Sequence, residues 1–451
     1  MTDSPIVVAK FGGTSVADAA AMRRSADIVL ADPQARLVVL SASAGVTNLL
    51  VSLSEGLGHG DRVDKIETLR AIQYRIVDQL KQPEAIRQQI DNLLESVSQL
   101  AGQAAGQRSP ALTDALVSHG ELMSSLLFVD ILRERGAHSQ WFDVRDVMLT
   151  SDDFGQAQPV VDAIARRAVT QLQPATARAI VVTQGFIGRD AAGRTTTLGR
   201  GGSDYTAALL GEALGACRVD IWTDVAGIYT TDPRIVPSAR RIDSISFDEA
   251  SEMATFGAKV LHPATLLPAV RKDIPVFVGS SKQPAAGGTL VCRQATNPPR
   301  YRALAVRRKQ TLLRLHSLDM LHACGFLADI FALLARHNIT VDLVTTSEVS
   351  LALTLDTTGS TAGQDNLLSP ALLAELNTRC NVEVEQELAL ITLIGNRLSR
   401  SSGVCDAVFS PLGNDNIRLI CYGASDHNLC FLVPGDAADG VIKTLHRHLF
   451  E

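Results

Sequence analysis

Apolar residues follow two rhythms along this chain. Short unbroken runs occur at "IVVA" (6–9), "RLVVLSA" (36–42), "AIVVTQGFIG" (179–188), "RVDIWTD" (218–224), "IPVFVGS" (274–280) and "GTLVC" (288–292). Such runs predict strands buried on both faces, as in a parallel sheet. Elsewhere the apolar spacing is three and four. "DKIETLRAIQYRIVDQL" and "EAIRQQIDNLLESVSQL", between Asp61 and Gln107, predict two helices, and Pro110 opens a third over 111–135. Strands alternating with helices predict an α/β unit, a mostly parallel sheet with helices on both faces, spanning residues 1–295.

The rhythm changes after "RQATNPPRYR" (293–302), a polar, proline-bearing linker. Strands are expected at "TLLRLHS", "TVDLVTTSE" and "SLALTLD", with a helix at "GFLADIFALLARHN" after the first. A repeat lies in this region. Gly325, Asn338-Ile339 and Ser347 recur 78 positions later as Gly403, Asn416-Ile417 and Ser425. Three landmarks in one register predict two copies of a βαββαβ ferredoxin-like module, over 311–388 and 389–451, with 296–310 as linker and a first strand. The alternative is a chance likeness between two small α/β modules.

Composition narrows the class. With 46% hydrophobic and 20% charged residues the chain is that of a globular protein, and 4% aromatics predict aliphatic cores. A net charge of −6 offers no broad basic face for nucleic acid. No basic-then-apolar leader and no run of about 18 apolar residues is present, so neither a signal peptide nor a membrane span is expected. Seven scattered cysteines without a C-x-x-C read as reduced thiols of a cytoplasmic protein. No His/Cys cluster has zinc spacing.

The candidate chemistry sits where strands end. "KFGGTS" (10–15) places Lys10 before Gly12 and Gly13, the reverse of a Walker loop. The glycines let backbone N–H groups approach an anion, Lys10 adds a point charge, and Thr14 and Ser15 could donate hydroxyls or cap a helix near Val16. The plainer reading is a strand-to-helix turn with an incidental lysine. "GRTTTLGRGGSDYTAALL" (193–210) offers Arg200 as a carboxylate clamp, and Gly201, Gly202, Ser203 and Asp204 at the start of a helix over 205–215. Against that stands a solvated loop. "WTDVAGIYTTDPR" (222–234) presents Thr223, Asp224, Tyr229 and Arg234 after a strand, or is a hairpin with polar turns. "FGAKVLHPAT" (256–265) holds Lys259 and Val260, the lysine by default a surface group. "SASAGVTN" (41–48) offers Ser41 and Thr47. In "LVSHGELMSSLL" (116–127) Glu121 interrupts an apolar helix, where a buried carboxylate could hold an ammonium group, or is partly exposed. His119 beside it reads as packed rather than metal-bound.

Taken together, "KFGGTS", "TTTLGRGGSDYTA", "WTDVAGIYTTDPR", "MATFGAKVLHP" and the paired C-terminal modules resemble the aspartokinases, of the monofunctional lysine-sensitive type, over essentially the whole chain. The resemblance implies an amino acid kinase fold followed by two ACT domains, one inserted in the other, with the strand near 303–307 completing the C-terminal copy. It implies ATP-dependent phosphorylation of the L-aspartate β-carboxylate, the first step toward lysine, threonine and methionine, with Mg²⁺ on the phosphates. A carboxylate is already an anion at neutral pH, so no general base is needed; catalysis rests on positioning and charge neutralisation. By resemblance, Lys10 and Asp204 are catalytic, with Asp204 orienting. Ser41, Thr47, Glu121, Arg200, Gly201, Gly202 and Ser203 bind aspartate. Lys10, Gly12, Gly13, Thr14, Thr223, Asp224, Tyr229, Arg234, Lys259 and Val260 hold ATP.

The ACT modules imply feedback by an amino acid, L-lysine, in a homodimer formed through them, or a tetramer with effector bound. The matching positions are Met320, Ala323, Gly325, Phe326, Leu327, Thr340, Val341, Asp342, Ser347 and Glu348. Asp342 and Glu348 suit two ammonium groups. Ala323 and Cys324 depart from the serine and arginine of the family pattern, which lowers lysine affinity if the serine side chain takes part there. Three rivals remain: another amino acid kinase such as a glutamate 5-kinase or acetylglutamate kinase, a bifunctional aspartokinase–homoserine dehydrogenase, and a catalytically silent amino-acid sensor. The second lacks a G-x-G-x-x-G after a strand.

Overall fold

A computed structural model describes residues 5–257, 261, 263–295, 298–321, 324–355, 368–413 and 415–451. The chain forms two compact units: Met1–Ile228 with Arg241–Ala250 and Lys259–Thr296, and Tyr229–Arg240 with Ser251–Ala258 and Asn297–Glu451. Each is described by itself.

As far as Cys292 the elements are, in order, β1 (Val7–Phe11), α1 (Ala19–Ala31), β2 (Ala35–Leu40), α2 (Val46–Ser54), α3 (His59–Val77), α4 (Pro83–Gly106), α5 (Pro110–Glu134), β3 (Ser139–Trp141), α6 (Val161–Arg167), α7 (Gln173–Arg178), β4 (Ile180–Gln184), β5 (Ile187–Arg189), β6 (Thr195–Thr197), α8 (Gly202–Leu214), β7 (Arg218–Thr223), β8 (Ser244–Ser246), α9 (Phe247–Thr255), α10 (Pro263–Lys272), β9 (Val276–Ser280) and β10 (Gly288–Cys292). Eight of the strands make one sheet in the order β3–β4–β2–β1–β7–β9–β10–β8, parallel except where β10 meets β9. β1 lies between β2 and β7 and every residue in it is buried, which is why it reads as an unbroken apolar run.

α5 shows no clear apolar stripe because most of its circumference is covered, Leu116–Ser125 without a break. By length and composition it is apolar enough to cross a membrane, but 83% of that stretch is buried inside the unit. Ser109 caps it, accepting from the Leu112 N–H, with Pro110 in the first turn. α1 starts later than the sequence predicts. Asp18, not Thr14 or Ser15, is its cap, accepting from the Ala21 N–H at 2.7 Å, and residues Gly13–Val16 form a 3-10 turn instead. The expected aliphatic core contains one aromatic row, Phe128–Phe11–Trp222–Phe277, with neighbouring ring centroids 5.3–6.4 Å apart.

The second unit continues with β11 (Tyr301–His316), α11 (Phe326–Arg336), β12 (Val341–Thr346), β13 (Ser350–Leu355), α12 (Pro370–Asn377), β14 (Asn381–Gly395), α13 (Val404–Phe409), β15 (Leu419–Tyr422), β16 (Asn428–Pro434) and α14 (Ala438–Phe450). The repeat is realised residue for residue: α11, β12 and β13 begin 78 positions before α13, β15 and β16. The copies share one six-stranded sheet, β12–β13–β11–β14–β16–β15. "TLLRLHS" is only the second half of β11. Its first half, with the expected strand 303–307, pairs with Leu390–Gly395, and its second half pairs with Asn381–Leu388. Lys309 and Glu387, themselves 78 apart, take left-handed φ of 56° where the pairing register shifts. Two cores result, one around Leu313, Ile330 and Leu353, the other around Ile391, Phe431 and Val441.

Phe431 is fully buried and its ring meets Phe409 edge-on. Phe431→Ala is expected to destabilise the second copy by about 3–5 kcal/mol, read as a lower urea midpoint. The exposed Leu267→Ala should leave the midpoint nearly unchanged.

Candidate active site and effector pocket

The site of the first unit forms where β1 and β2 end. Past β1 the chain stays tied to its neighbours: the Ser41 N–H donates to the Phe11 carbonyl and the Ala44 N–H to the Gly13 carbonyl, both at 3.1 Å. A Cβ on Gly13 would come within 2.8 Å of the Ala42 carbonyl, so only glycine lets the two loops close. Lys10, on the buried strand, is 8% exposed and its ammonium is ion-paired with Asp204. Asp204 stands in the first turn of α8, which starts at Gly202, three residues earlier than expected. The turn before β5 supports that end. The Phe186 N–H donates to Thr206 Oγ1, which donates to the Gly202 carbonyl. Phe186 itself is held at φ 70°, an uncommon conformation for a bulky residue and a mark of local strain.

Glu121 reaches the same place from α5. Its Oε1 accepts the Ala42 N–H at 3.0 Å, while Oε2 is buried with no partner among the described residues. Burial pushes its carboxyl up to about 8; the Ala42 hydrogen bond and the nearby Lys10 charge pull the other way. A buried acceptor left open beside the ends of β1 and β2 is a place for a cation or a donor. Gly120 makes the approach possible, since a Cβ there would lie 2.7 Å from that of Ala42. Ser41 and Thr47 are half-buried on the facing loop and helix, and the Ser41 carbonyl accepts from Ser124 at 2.8 Å. Arg200 is exposed on the loop leading into α8, and Gly201, at φ 73°, caps that helix.

Several expectations change. The Gly12 N–H donates to the Trp222 carbonyl at 3.0 Å, continuing the β1–β7 ladder, so it is not free for an anion. Ser15 turns inward to Ser281, 2.6 Å away, while Thr14 remains exposed. Thr223 and Asp224 follow β7, where Thr223 Oγ1 donates to Asp224 at 3.2 Å. Tyr229 and Arg234 belong to the second unit; Arg234 forks onto Asp232 and lowers that carboxyl's pKa. Lys259 and Val260 lie outside the described residues. His119 is a packed histidine, bonded to the Ala115 carbonyl and Ser96.

One positioning residue escaped the sequence reading. Asp114, seven residues before Glu121 and so on the same helix face, accepts from the Gly155 N–H and from both donors of Thr197. It fastens the β5–β6 hairpin, which carries the Arg200 loop, to α5. An acid in each of two successive double turns of an apolar helix was the available signal.

In the second unit a pocket of about 490 Å³ opens in the first copy. Met320, Gly325, Phe326, Leu327, Ser347 and Glu348 line it, with Leu321, Ala328 and Thr346. Thr340, Val341 and Asp342 do not; Asp342 is paired with Arg307 at 2.6 Å. Ala323 lies outside the described residues.

Comparison with known proteins fits this geometry. Residues 5–280 match the amino acid kinase family and residues 391–449 an ACT domain. The lysine-sensitive aspartokinase 3 of Escherichia coli is 66% identical over 448 residues, 99% of this chain and 100% of that protein. This chain belongs to the aspartokinases. Aspartokinase 1 of the Arabidopsis thaliana chloroplast is 35% identical over 98% of this chain and 80% of its own. Among solved structures, E. coli aspartokinase III with aspartate and ADP, in its R-state, superposes with a TM-score of 0.91, and the same enzyme with lysine and aspartate, in its T-state, with 0.85. Each is 66% identical and covers 99% of this chain and 100% of its own. The aspartokinase sheet therefore places Lys10, Asp204 and Glu121 at one end of its parallel strands, where ligands bind in such sheets.

The raised Glu121 carboxyl gives a signed prediction. Between its unfolded value of 4.5 and its folded value of about 8, the unfolded chain ionises while the folded one holds its proton. Raising pH through that window therefore costs stability, by about 5 kcal/mol at most, and the loss levels off above it. Glu121→Gln removes this dependence. Urea midpoints of both proteins from pH 5 to 8.5 should diverge as pH rises, the wild type falling further; parallel curves would overturn the burial-driven shift.

Proposed function

We infer that this chain is an aspartate kinase that transfers the γ-phosphoryl group of ATP to the β-carboxylate of L-aspartate and is inhibited by L-lysine. The observation that carries the catalytic half is the ion pair of buried Lys10 with half-buried Asp204 beside the open oxygen of Glu121. Likeness over the full chain to a relative named lysine-sensitive, and to its complexes with aspartate, ADP and lysine, supports both halves.

The residues fit the chemistry in named roles. A carboxylate oxygen of aspartate attacks the γ-phosphorus as the bond to the bridging oxygen of ADP breaks. The barrier is repulsion between anions, so the required groups are cations and donors held in place. Lys10 neutralises charge on the migrating group, and Asp204 keeps its ammonium aimed. Glu121, ionised by an approaching cation, takes the substrate ammonium group; Arg200, exposed on a loop anchored through Asp114, clamps a carboxylate. Ser41, Thr47 and Ser203 complete the aspartate site, and the Gly13 loop with Thr223 and Asp224 faces ATP. No group of three His, Cys, Asp or Glu side chains fit to hold a metal occurs among the described residues. Mg²⁺ would be carried mainly by phosphate oxygens and water, and would lower the charge on the phosphates.

The effector site is the pocket of the first ACT copy, 311–388, where Glu348 is exposed for an ammonium group and Ser347, in the turn after β12, for a carboxylate. We assign a cytoplasmic homodimer through the ACT modules. β12 is an open edge of their sheet, suited to a second copy.

ADP release with Mg·ATP and L-aspartate, with and without millimolar L-lysine, tests both halves: turnover that lysine suppresses is expected, and its absence refutes the assignment. Lys10→Ala should abolish turnover while lysine binding survives. Glu348→Ala should shift the inhibition curve to higher lysine by about tenfold or more, as for loss of a charge-assisted contact, with uninhibited turnover retained.

A further inference from the structure

The 78-residue repeat allows the effector pocket to be sought twice. Met320, Gly325, Phe326, Leu327, Ser347 and Glu348 of the first copy correspond to Leu398, Gly403, Val404, Cys405, Ser425 and Asp426 of the second. The local structure corresponds as well. Each copy has a 3-10 turn, Leu318–Met320 or Leu398–Arg400, and a glycine at positive φ capping the next helix, Gly325 at 100° or Gly403 at 76°. Each has a turn between the following two strands, with Ser347 or Ser425 in it.

The two places differ in what fills them. In the first copy Ser347 Oγ reaches the Ser350 carbonyl, at 3.5 Å, the Ser350 hydroxyl meets His316 Nδ1 at 3.0 Å, and Glu348 is exposed without a side-chain partner among the described residues. In the second copy a carboxylate is already present. Ser425 Oγ donates to Glu252 Oε1 at 2.7 Å and Asn428 Nδ2 donates to Oε2 at 2.8 Å; Asn428 is the repeat partner of Ser350. The other groups are satisfied within the chain: Asp426 accepts from Arg400 at 2.9 Å and from Ser399, and the Tyr422 hydroxyl donates to the Leu398 carbonyl. The residue matching Tyr422 in the first copy is Val344, an apolar side chain left exposed.

We propose that Glu252 is a built-in ligand of the second ACT copy, its carboxylate filling the position that the repeat assigns, in the first copy, to the carboxylate of an amino-acid effector. The second copy is then a latent site for a small carboxylate, closed by the chain itself, and each chain takes effector once. This rests on the first-copy pocket being the effector site.

Two measurements on the full-length protein test it. Equilibrium dialysis with L-lysine should give one lysine per wild-type chain. None bound would overturn the effector reading, and two per chain would overturn the built-in ligand. Glu252→Ala leaves a gap the size of acetate. Its thermal midpoint should fall by several degrees and recover by at least half in sodium acetate relative to sodium chloride at equal ionic strength. Glu252→Gln, which keeps the volume, and Glu252→Ala with Ser425→Ala, which lacks a donor, should gain nothing from acetate. Equal midpoints of Glu252→Ala in the two salts would refute the proposal, and should that variant not fold, the lysine count still decides.

Discussion

A charge on a buried strand needs company. Lys10 sits in the middle of the sheet, on a strand with no exposed residue, where little water reaches its ammonium. Asp204 supplies the counter-charge from a different element. The rest of the site follows from bringing that element in: a helix started by glycines, a strained turn at Phe186 supporting its first residues, and a hairpin tied to α5 through Asp114. Since the buried Lys10 charge would be uncompensated without Asp204, the pair fixes where the end of α8 must stand relative to β1.

Glu121 is the same problem solved halfway. One oxygen has a backbone donor and the other has nothing, so burial favours the neutral acid. A site that leaves one acceptor unsatisfied is poised for a ligand able to supply a proton-rich group, and an α-ammonium is such a group. In the proposed reaction Lys10 and Glu121 divide the substrate between them, one meeting the reacting anion and the other its opposite charge.

Much of this was legible in the residues. Buried parallel strands announce themselves as unbroken apolar runs, and β10 occupies the predicted segment. The repeat was visible because glycine at positive φ and the Asn-Ile turn leave sequence traces. What stayed hidden depends on partners far away in the chain. Nothing local says that the Gly12 N–H is consumed by Trp222, or that Ser15 turns toward Ser281. The double length of β11 was hidden too, because "YRALAVRRKQTLLRLH" carries charged residues in its middle, where the register shifts. Nor did Asp342 reveal that Arg307 would claim it.

The shared strands have a consequence for how the regulatory unit is made. The first half of β11 belongs with β14 and β16, yet Tyr301 must wait for Gly395 before it is paired. During synthesis one whole module, from Gln310 to Leu388, emerges and can close first, while the opening strand of the other stands by as an unmatched edge. No single cut of the chain separates the two copies. The later module is assembled around the earlier one, so its completion requires the strands from Tyr301 to Pro434 to have been made.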